Sequence, residues 1–250
     1  MSTSSSCCPV VELRQYTLHP GQREALIALF DRELVETQEA VGMRVIAQFR
    51  DIDRPDVFTW LRGFSDMPAR AAALQAFYDG PVWAAHRDAA NRTKLTFDNV
   101  RLLRPALNGS GFALHGVERP PHGSTAVPRE LIVCSICTLT APAAAGFSDL
   151  FAREIAPVLA AHDAAPLAVL ETEPSPNTFP RLPVREGEHS FLWFTRFADV
   201  DAYDRHVARR ERSRDWSEAV RPLLDHHLRA PMEIWRLSPT ARSCRLGGPA

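Results

Sequence analysis

The chain has 250 residues, 45% apolar and 24% charged, with a formal net charge of −1 at pH 7. That balance argues against the basic excess of a nucleic-acid or anionic-membrane surface. No stretch approaches the roughly 18–20 uninterrupted apolar residues of a membrane span. Residues 1–9 are Ser-rich and lack the basic segment and apolar core of a secretory signal, so they are expected to form a disordered tail on a cytoplasmic protein.

A first module occupies residues 10–105. Val10 to Leu18 is strand-like and closes at Pro20-Gly21. A helix is expected over 22–40, with Leu26, Leu29, Phe30 and Leu34 on one stripe. Strands follow at 43–50 and 57–64, joined by the Asp- and Pro-bearing turn 51–56. Asp66 suits the N-cap of a helix over 67–78. Gly80-Pro81 breaks it from a second helix over 82–92, and a strand over 95–103 ends the module.

Residues 106–129, rich in Pro, Gly and Ser, are expected to be a linker. A second module over 130–238 repeats the order: a strand at 130–139, a helix at 142–162, strands at 167–173 and 190–197, helices at 199–212 and 214–228, and a strand at 230–237. Residues 239–250 are expected to be a loose tail.

The two modules share residues as well as order. Leu29-Phe30-Asp31-Arg32-Glu33-Leu34 recurs as Leu150-Phe151-Ala152-Arg153-Glu154-Ile155, 121 positions later. Trp60, Phe64, Asp66 and Trp83 recur as Trp193, Phe197, Asp199 and Trp216 at spacing 133. The change in spacing places about 12 inserted residues in the second copy, within loop 174–189. Each copy is β-α-β-β-α-β with an extra helix before the last strand, so the fold class is α+β, built of tandem ferredoxin-like modules.

Glu12-Leu13-Arg14-Gln15-Tyr16-Thr17-Leu18-His19-Pro20-Gly21 resembles the opening of a NIPSNAP-family domain. So do Trp60-Leu61-Arg62-Gly63-Phe64, Arg70, Phe77, Pro81-Val82-Trp83 and the closing Leu102-Leu103-Arg104-Pro105. The likeness covers nearly all of the first module. In the second, Cys134 to Cys137 replace the opening Arg-x-Tyr. The resemblance implies a dimeric α/β-barrel, here a pseudo-dimer formed within one chain. It also implies kinship with cofactor-free oxygenases, haem-degrading enzymes and isomerases, although NIPSNAP proteins mostly lack an assigned reaction. A homodimer of chains is a further implication of that superfamily's habit of pairing.

Several side chains are candidates for a site. Glu33 and Glu154 fall inside the apolar stripe rather than on the solvent side, and a carboxylate there is paired, protonated or opened to a cavity. His86, beside Trp83, is a candidate base near a pocket mouth, though its counterpart at spacing 133 is Ala219. Glu33 and His86 are thus the catalytic candidates. Arg14 and Tyr16 share one face of the first strand, Arg44, Gln48 and Arg50 one face of the second, and Trp60 and Arg62 one face of the third. These form either an anion or carboxylate site or a salt-bridge network with Glu12.

No metal site is expected. His226 and His227 are adjacent on a helix and diverge, while Cys134 and Cys137 fall on opposite faces of a strand. Phosphate-loop, dinucleotide, zinc-protease and serine-hydrolase motifs are all missing. The sequence leaves the biochemical activity undetermined; the expected role is small-molecule binding or scaffolding, with no cofactor and a small organic acid as a candidate partner. The alternative is a cofactor-independent monooxygenase or isomerase acting on an apolar or aromatic acid in a first-module pocket.

Overall fold

The computed structural model describes residues 7–247. Its eight strands are β1 (Val10–Leu18), β2 (Arg44–Asp51), β3 (Val57–Phe64), β4 (Lys94–Pro105), β5 (Leu131–Leu139), β6 (Ala168–Thr172), β7 (His189–Phe197) and β8 (Glu233–Pro239). They close into one barrel in the order β1-β3-β2-β8-β5-β7-β6-β4. Each module contributes a four-stranded antiparallel sheet, and the two sheets carry the same topology. The seams are β2 with β8, from Phe49↔Pro239 to Asp51↔Leu237, and β4 with β6, from Leu103↔Thr172 to Pro105↔Leu170. The pseudo-dimer is thus internal, and closure removes the free edges that two separate sheets would expose.

Strand alternation sorts side chains into two layers. From β1, Val11 and Leu13 enter the barrel with Leu61, Ile132, Phe194 and Leu237. Val10, Tyr16 and Leu18 turn outward beneath the first module's helices, against Leu26, Phe30 and Trp60. Cys134 lies in the barrel core and Cys137 in the outer layer of module two, as two residues three apart on a strand must.

Segments expected to be loose are packed. Phe112 and Leu114, in the supposed linker, are buried in the barrel core, and Phe112 stands 5.1 Å from the Phe194 ring. Cys8 is buried opposite Gly63, where an added Cβ would lie 2.3 Å from its Sγ. Cys244 and Leu246 join the same core. The physical reason is that a closed barrel leaves an apolar interior to fill, and short apolar runs in Pro- and Gly-rich sequence fill it. Residues 1–6 and 248–250 of the two expected tails lie outside the described residues.

Above the first sheet lie α1 (Arg23–Leu29), a π-helical turn (Phe30–Leu34) and α2 (Val35–Glu39), followed by α3 (Met67–Tyr78) and α4 (Pro81–Arg92). The second module carries α5 (Phe147–Leu150), a π turn (Phe151–Ile155), α6 (Ala156–Ala161), α7 (Val200–Glu211), a further π turn (Asp215–Val220) and α8 (Arg221–His227). Both copies of the repeated Leu-Phe-x-Arg-Glu segment therefore wind as π turns. The amide of Val35 bonds the carbonyl of Phe30, and that of Ala156 bonds Phe151. Each wide turn accommodates one extra residue, a local unwinding often found near functional sites. Asp66 and Asp199 cap equivalent helices through Ala69 and Ala202, at 2.6 and 2.7 Å.

Candidate functional site

The outer face of β1 carries Glu12, Arg14 and Tyr16, and the β1–β3 register sets Glu12 opposite Arg62 and Arg14 opposite Trp60. Arg70 reaches the same point from the first turn of α3. The Glu12 carboxylate lies 2.7 Å from each of Arg14, Arg62 and Arg70, and all four side chains have 0% exposure. Burial alone would raise the Glu12 pKa, but Arg62, Arg14 and Arg70 together outweigh it and hold the carboxyl below the usual carboxylate range. One carboxylate thus faces three guanidiniums in a space without water contact. Arg14 Nε donates to the Tyr16 hydroxyl at 2.9 Å, and Arg62 Nη1 donates to Gln38 Oε1 at 3.2 Å. Arg14 Nη2, although buried, has no hydrogen-bond partner among the described residues.

Beside Arg14 a pocket of about 200 Å³ opens between α3, α4 and the start of β4. Its walls include the rings of Tyr16, Tyr78, Trp83, Phe97 and Phe179. Three cations line it, Arg14, Lys94 and Arg181, and its lining includes no Asp or Glu. Lys94 Nζ sits 5.0 Å from the Tyr16 ring centroid and 5.5 Å from that of Trp83, with Asn91 Oδ1 at 3.4 Å. Burial lowers its pKa to about 8; Tyr78 opposes that shift and Arg14 adds to it.

The roof of this pocket comes from the other module. The insertion in loop 174–189 crosses to module one, where Arg70 Nη1 donates to Asn177 Oδ1 and Thr178 Oγ1, both at 3.1 Å. Phe179 stacks on Tyr78 with ring centroids 5.9 Å apart, and Arg181 pairs with Asp79 at 2.6 Å. The amide of Arg185 donates to the carbonyl of Val100 at 2.8 Å, which ties the far end of the loop to β4.

Arg14, Tyr16, Trp60 and Arg62 therefore gather on one face, as their strand positions require. Arg44 does not join them. A β-bulge at Ile46 separates Val45↔Arg62 from Ala47↔Leu61, so Arg44, opposite Gly63, turns to the barrel side. There it reaches the Val117 carbonyl at 3.4 Å and Cys244 Sγ at 3.7 Å. Gln48 is buried on the outer face opposite Trp60 but does not line the pocket. Glu33 is rotated off the apolar stripe by the extra residue of the π turn, and Glu154 is exposed for the same reason. Glu33 accepts from Arg32 Nε at 2.7 Å, which lowers its pKa, and lies 3.5 Å from His86 Nε2. Those two candidates meet each other at the helix surface, 29% and 30% exposed, and neither lines the pocket.

The pocket residues that sequence reasoning missed are Lys94, Tyr78, Phe97, Phe179 and Arg181. The one advance signal was the shift in repeat spacing, which marked the inserted loop without saying where it docks. Module two has no matching site: Val133, Ser135 and Cys137 occupy the positions of Glu12, Arg14 and Tyr16, and Thr195 that of Arg62. No group of three His, Cys, Asp or Glu side chains placed to hold a metal ion occurs among the described residues.

Comparison with known proteins agrees with this architecture. The NIPSNAP family model matches residues 11–106. No curated protein sequence matches the chain. Two solved structures described as "putative monooxygenase" share the whole barrel. The one from Lactobacillus acidophilus NCFM has 14% identity and a TM-score of 0.55, covering 96% of this chain and 99% of its own. The one from Fusobacterium nucleatum subsp. nucleatum ATCC 25586 has 8% identity and a TM-score of 0.57, covering 96% and 95%. A structure of an anthrone oxidase-like protein matches at 11% identity and a TM-score of 0.56, covering 96% and 94%. Identities this low carry the fold alone. Residues 11–106 therefore match the NIPSNAP family model, and they close into one α+β barrel with a second module of the same topology.

Proposed function

We propose that the first module binds a small aromatic carboxylate in the pocket beside Arg14. One observation carries this reading: a fully buried guanidinium with an unpartnered Nη2 borders a cavity walled by aromatic rings and lined by cations without a carboxylate. An unpaired N–H in a water-excluded site costs about 1–3 kcal/mol, and a ligand carboxylate removes that cost by a charge-assisted hydrogen bond. The aromatic walls favour a flat apolar body on the same ligand. At about 200 Å³ the space suits a molecule smaller than the drug-sized ligands of typical 300–1,000 Å³ pockets. Glu12 holds the three arginines in place from behind, which leaves Arg14 and Lys94 to meet the ligand.

The test is a titration of the full chain with 4-methylbenzoate, followed by tryptophan fluorescence, since Trp83 forms one wall. Saturable quenching is the expected result, with toluene, which lacks the carboxylate, giving none at equal concentration. Equal responses to the two compounds, or none to either, would remove the reading.

The catalytic alternative, a cofactor-independent monooxygenase or isomerase acting on such an acid, has support of a different kind. The whole-barrel relatives include proteins described in oxygenase and oxidase terms. For this chain that alternative needs a proton carrier inside the pocket, a place Glu33 and His86 do not occupy.

A further inference from the structure

Lys94 is the only lysine in the chain; the other 28 of its 29 basic residues are arginine. An arginine side chain does not lose its proton in a protein, whereas a buried lysine does so readily and then becomes a nucleophile. The one lysine amine of the molecule stands half-buried in the aromatic pocket. We infer that Lys94 is an imine-forming amine, and that the pocket takes aromatic oxo acids, molecules carrying a ring, a carboxylate and an aldehyde or ketone. This rests on the carboxylate-binding reading above and names the ligand class more narrowly.

The geometry supports the two-point grip. Lys94 Nζ and Arg14 Cζ lie 5.0 and 5.6 Å from the centroid of the same ring, Tyr16, and both residues line the pocket, so the guanidinium and the amine flank one aromatic wall. Among the described residues, no carboxylate lines the pocket to hold Lys94 as an ion. The charged and titratable groups facing it are Arg14 and Tyr16 from β1, Tyr78 from the end of α3 and Arg181 from the loop, with neutral Asn91 from α4. With its pKa lowered to about 8, about a tenth of the amine is neutral at pH 7, compared with about one part in 2,500 at an ordinary lysine value near 10.4.

In the step itself, the lone pair of neutral Nζ adds to the carbonyl carbon and the C–N bond forms as the carbonyl π pair moves to oxygen. That oxygen takes a proton as the nitrogen loses one, giving the carbinolamine; the nitrogen lone pair then forms the second C–N bond as the hydroxyl takes a second proton and departs as water, and the nitrogen gives up its remaining proton, leaving the imine. No oxidant or reductant is consumed. Borohydride, added as an external hydride donor, reduces the C=N bond and makes the adduct permanent.

The experiment treats the full chain with 4-formylbenzoate and sodium borohydride at pH 8, then maps the adduct by peptide mass spectrometry. The chain's α-amine, with an ordinary pKa of about 7.7–8.0, is the internal competitor. The expected result is a single reduced adduct on Lys94, at least about tenfold in excess over the α-amine, because the two amines have similar basicity and Lys94 lines the carboxylate-binding pocket. Benzaldehyde should show no such preference, excess 4-methylbenzoate should suppress the Lys94 adduct, and Lys94→Arg should lose it while keeping the wild-type circular-dichroism spectrum. If 4-methylbenzoate binds but the label divides evenly between the two amines or goes to the α-amine, the role of Lys94 is overturned and the binding reading stands. If neither binding nor a selective adduct occurs, both fail.

Discussion

Glu12 and Arg62 stand directly opposite across β1 and β3, and among the described residues the Glu12 carboxylate is the only acid paired with Arg14, Arg62 and Arg70. Removing it leaves three fully buried guanidiniums without a counter-charge, the situation in which breaking a buried pair costs most. Glu12→Gln keeps the size and some hydrogen bonding but loses the charge. The expected destabilisation is about 3–5 kcal/mol, read as a fall in the urea midpoint. A loss below about 1 kcal/mol would mean that the cluster is solvated, as surface pairs are.

The same carboxylate sets an acid dependence. Its folded pKa is depressed by the three arginines, so its contribution is complete above the unfolded glutamate value of about 4.3 and disappears as pH falls toward the folded value. Wild type should therefore lose stability between about pH 5 and the strongly acid range. The gap between wild type and Glu12→Gln should narrow over that window. A gap that stays constant from pH 7 to pH 3 would show that Glu12 does not titrate across it.

The strand positions of Arg14, Tyr16, Trp60 and Arg62 were legible in the sequence because period-two alternation survives along β1 and β3 without interruption. Arg44 was misplaced because one extra residue, Ile46, reverses the phase of β2, and a bulge leaves no local mark in an apolar run. Glu33 was misplaced by the equivalent irregularity in a helix, the π turn at Phe30–Leu34. The pocket roof was illegible for another reason. Phe179 and Arg181 act on module one from more than 80 residues beyond Lys94, and nothing in a loop's composition states which surface it covers.

Because Glu33 and His86 face each other outside the pocket, Glu33→Gln and His86→Gln are each expected to leave 4-methylbenzoate affinity within about twofold, a change under about 0.5 kcal/mol. The titration that tests binding also decides this. A tenfold loss in either variant would bring that pair back to the ligand.

The Phe112 ring fills the barrel from a segment with no secondary structure of its own, against Phe194 and the β-strand core. Phe112→Ala should cost about 3–5 kcal/mol, the value for a large aromatic cavity in a packed core. Thermal unfolding measures it. A loss of under 1 kcal/mol would make the segment a linker after all. Carboxylate affinity should be unchanged at temperatures where the variant is folded, since the barrel interior and the pocket lie on opposite sides of the sheet.

The covering loop gives the last prediction. Phe179 stacks on Tyr78 and lines the pocket, while Asn177 and Thr178 accept from Arg70. Phe179→Ala removes one aromatic wall and opens the roof without touching the Glu12 cluster. Affinity for 4-methylbenzoate should fall about tenfold, or about 1.4 kcal/mol, mainly through faster release, because opening a roof affects escape more than encounter. Asn177→Ala should weaken binding less, since Arg70 keeps Glu12 and Thr178 as partners. Stopped-flow dissociation measurements separate the two effects. An unchanged off-rate in Phe179→Ala would mean that the second module's insertion braces the barrel and does not close the first module's pocket.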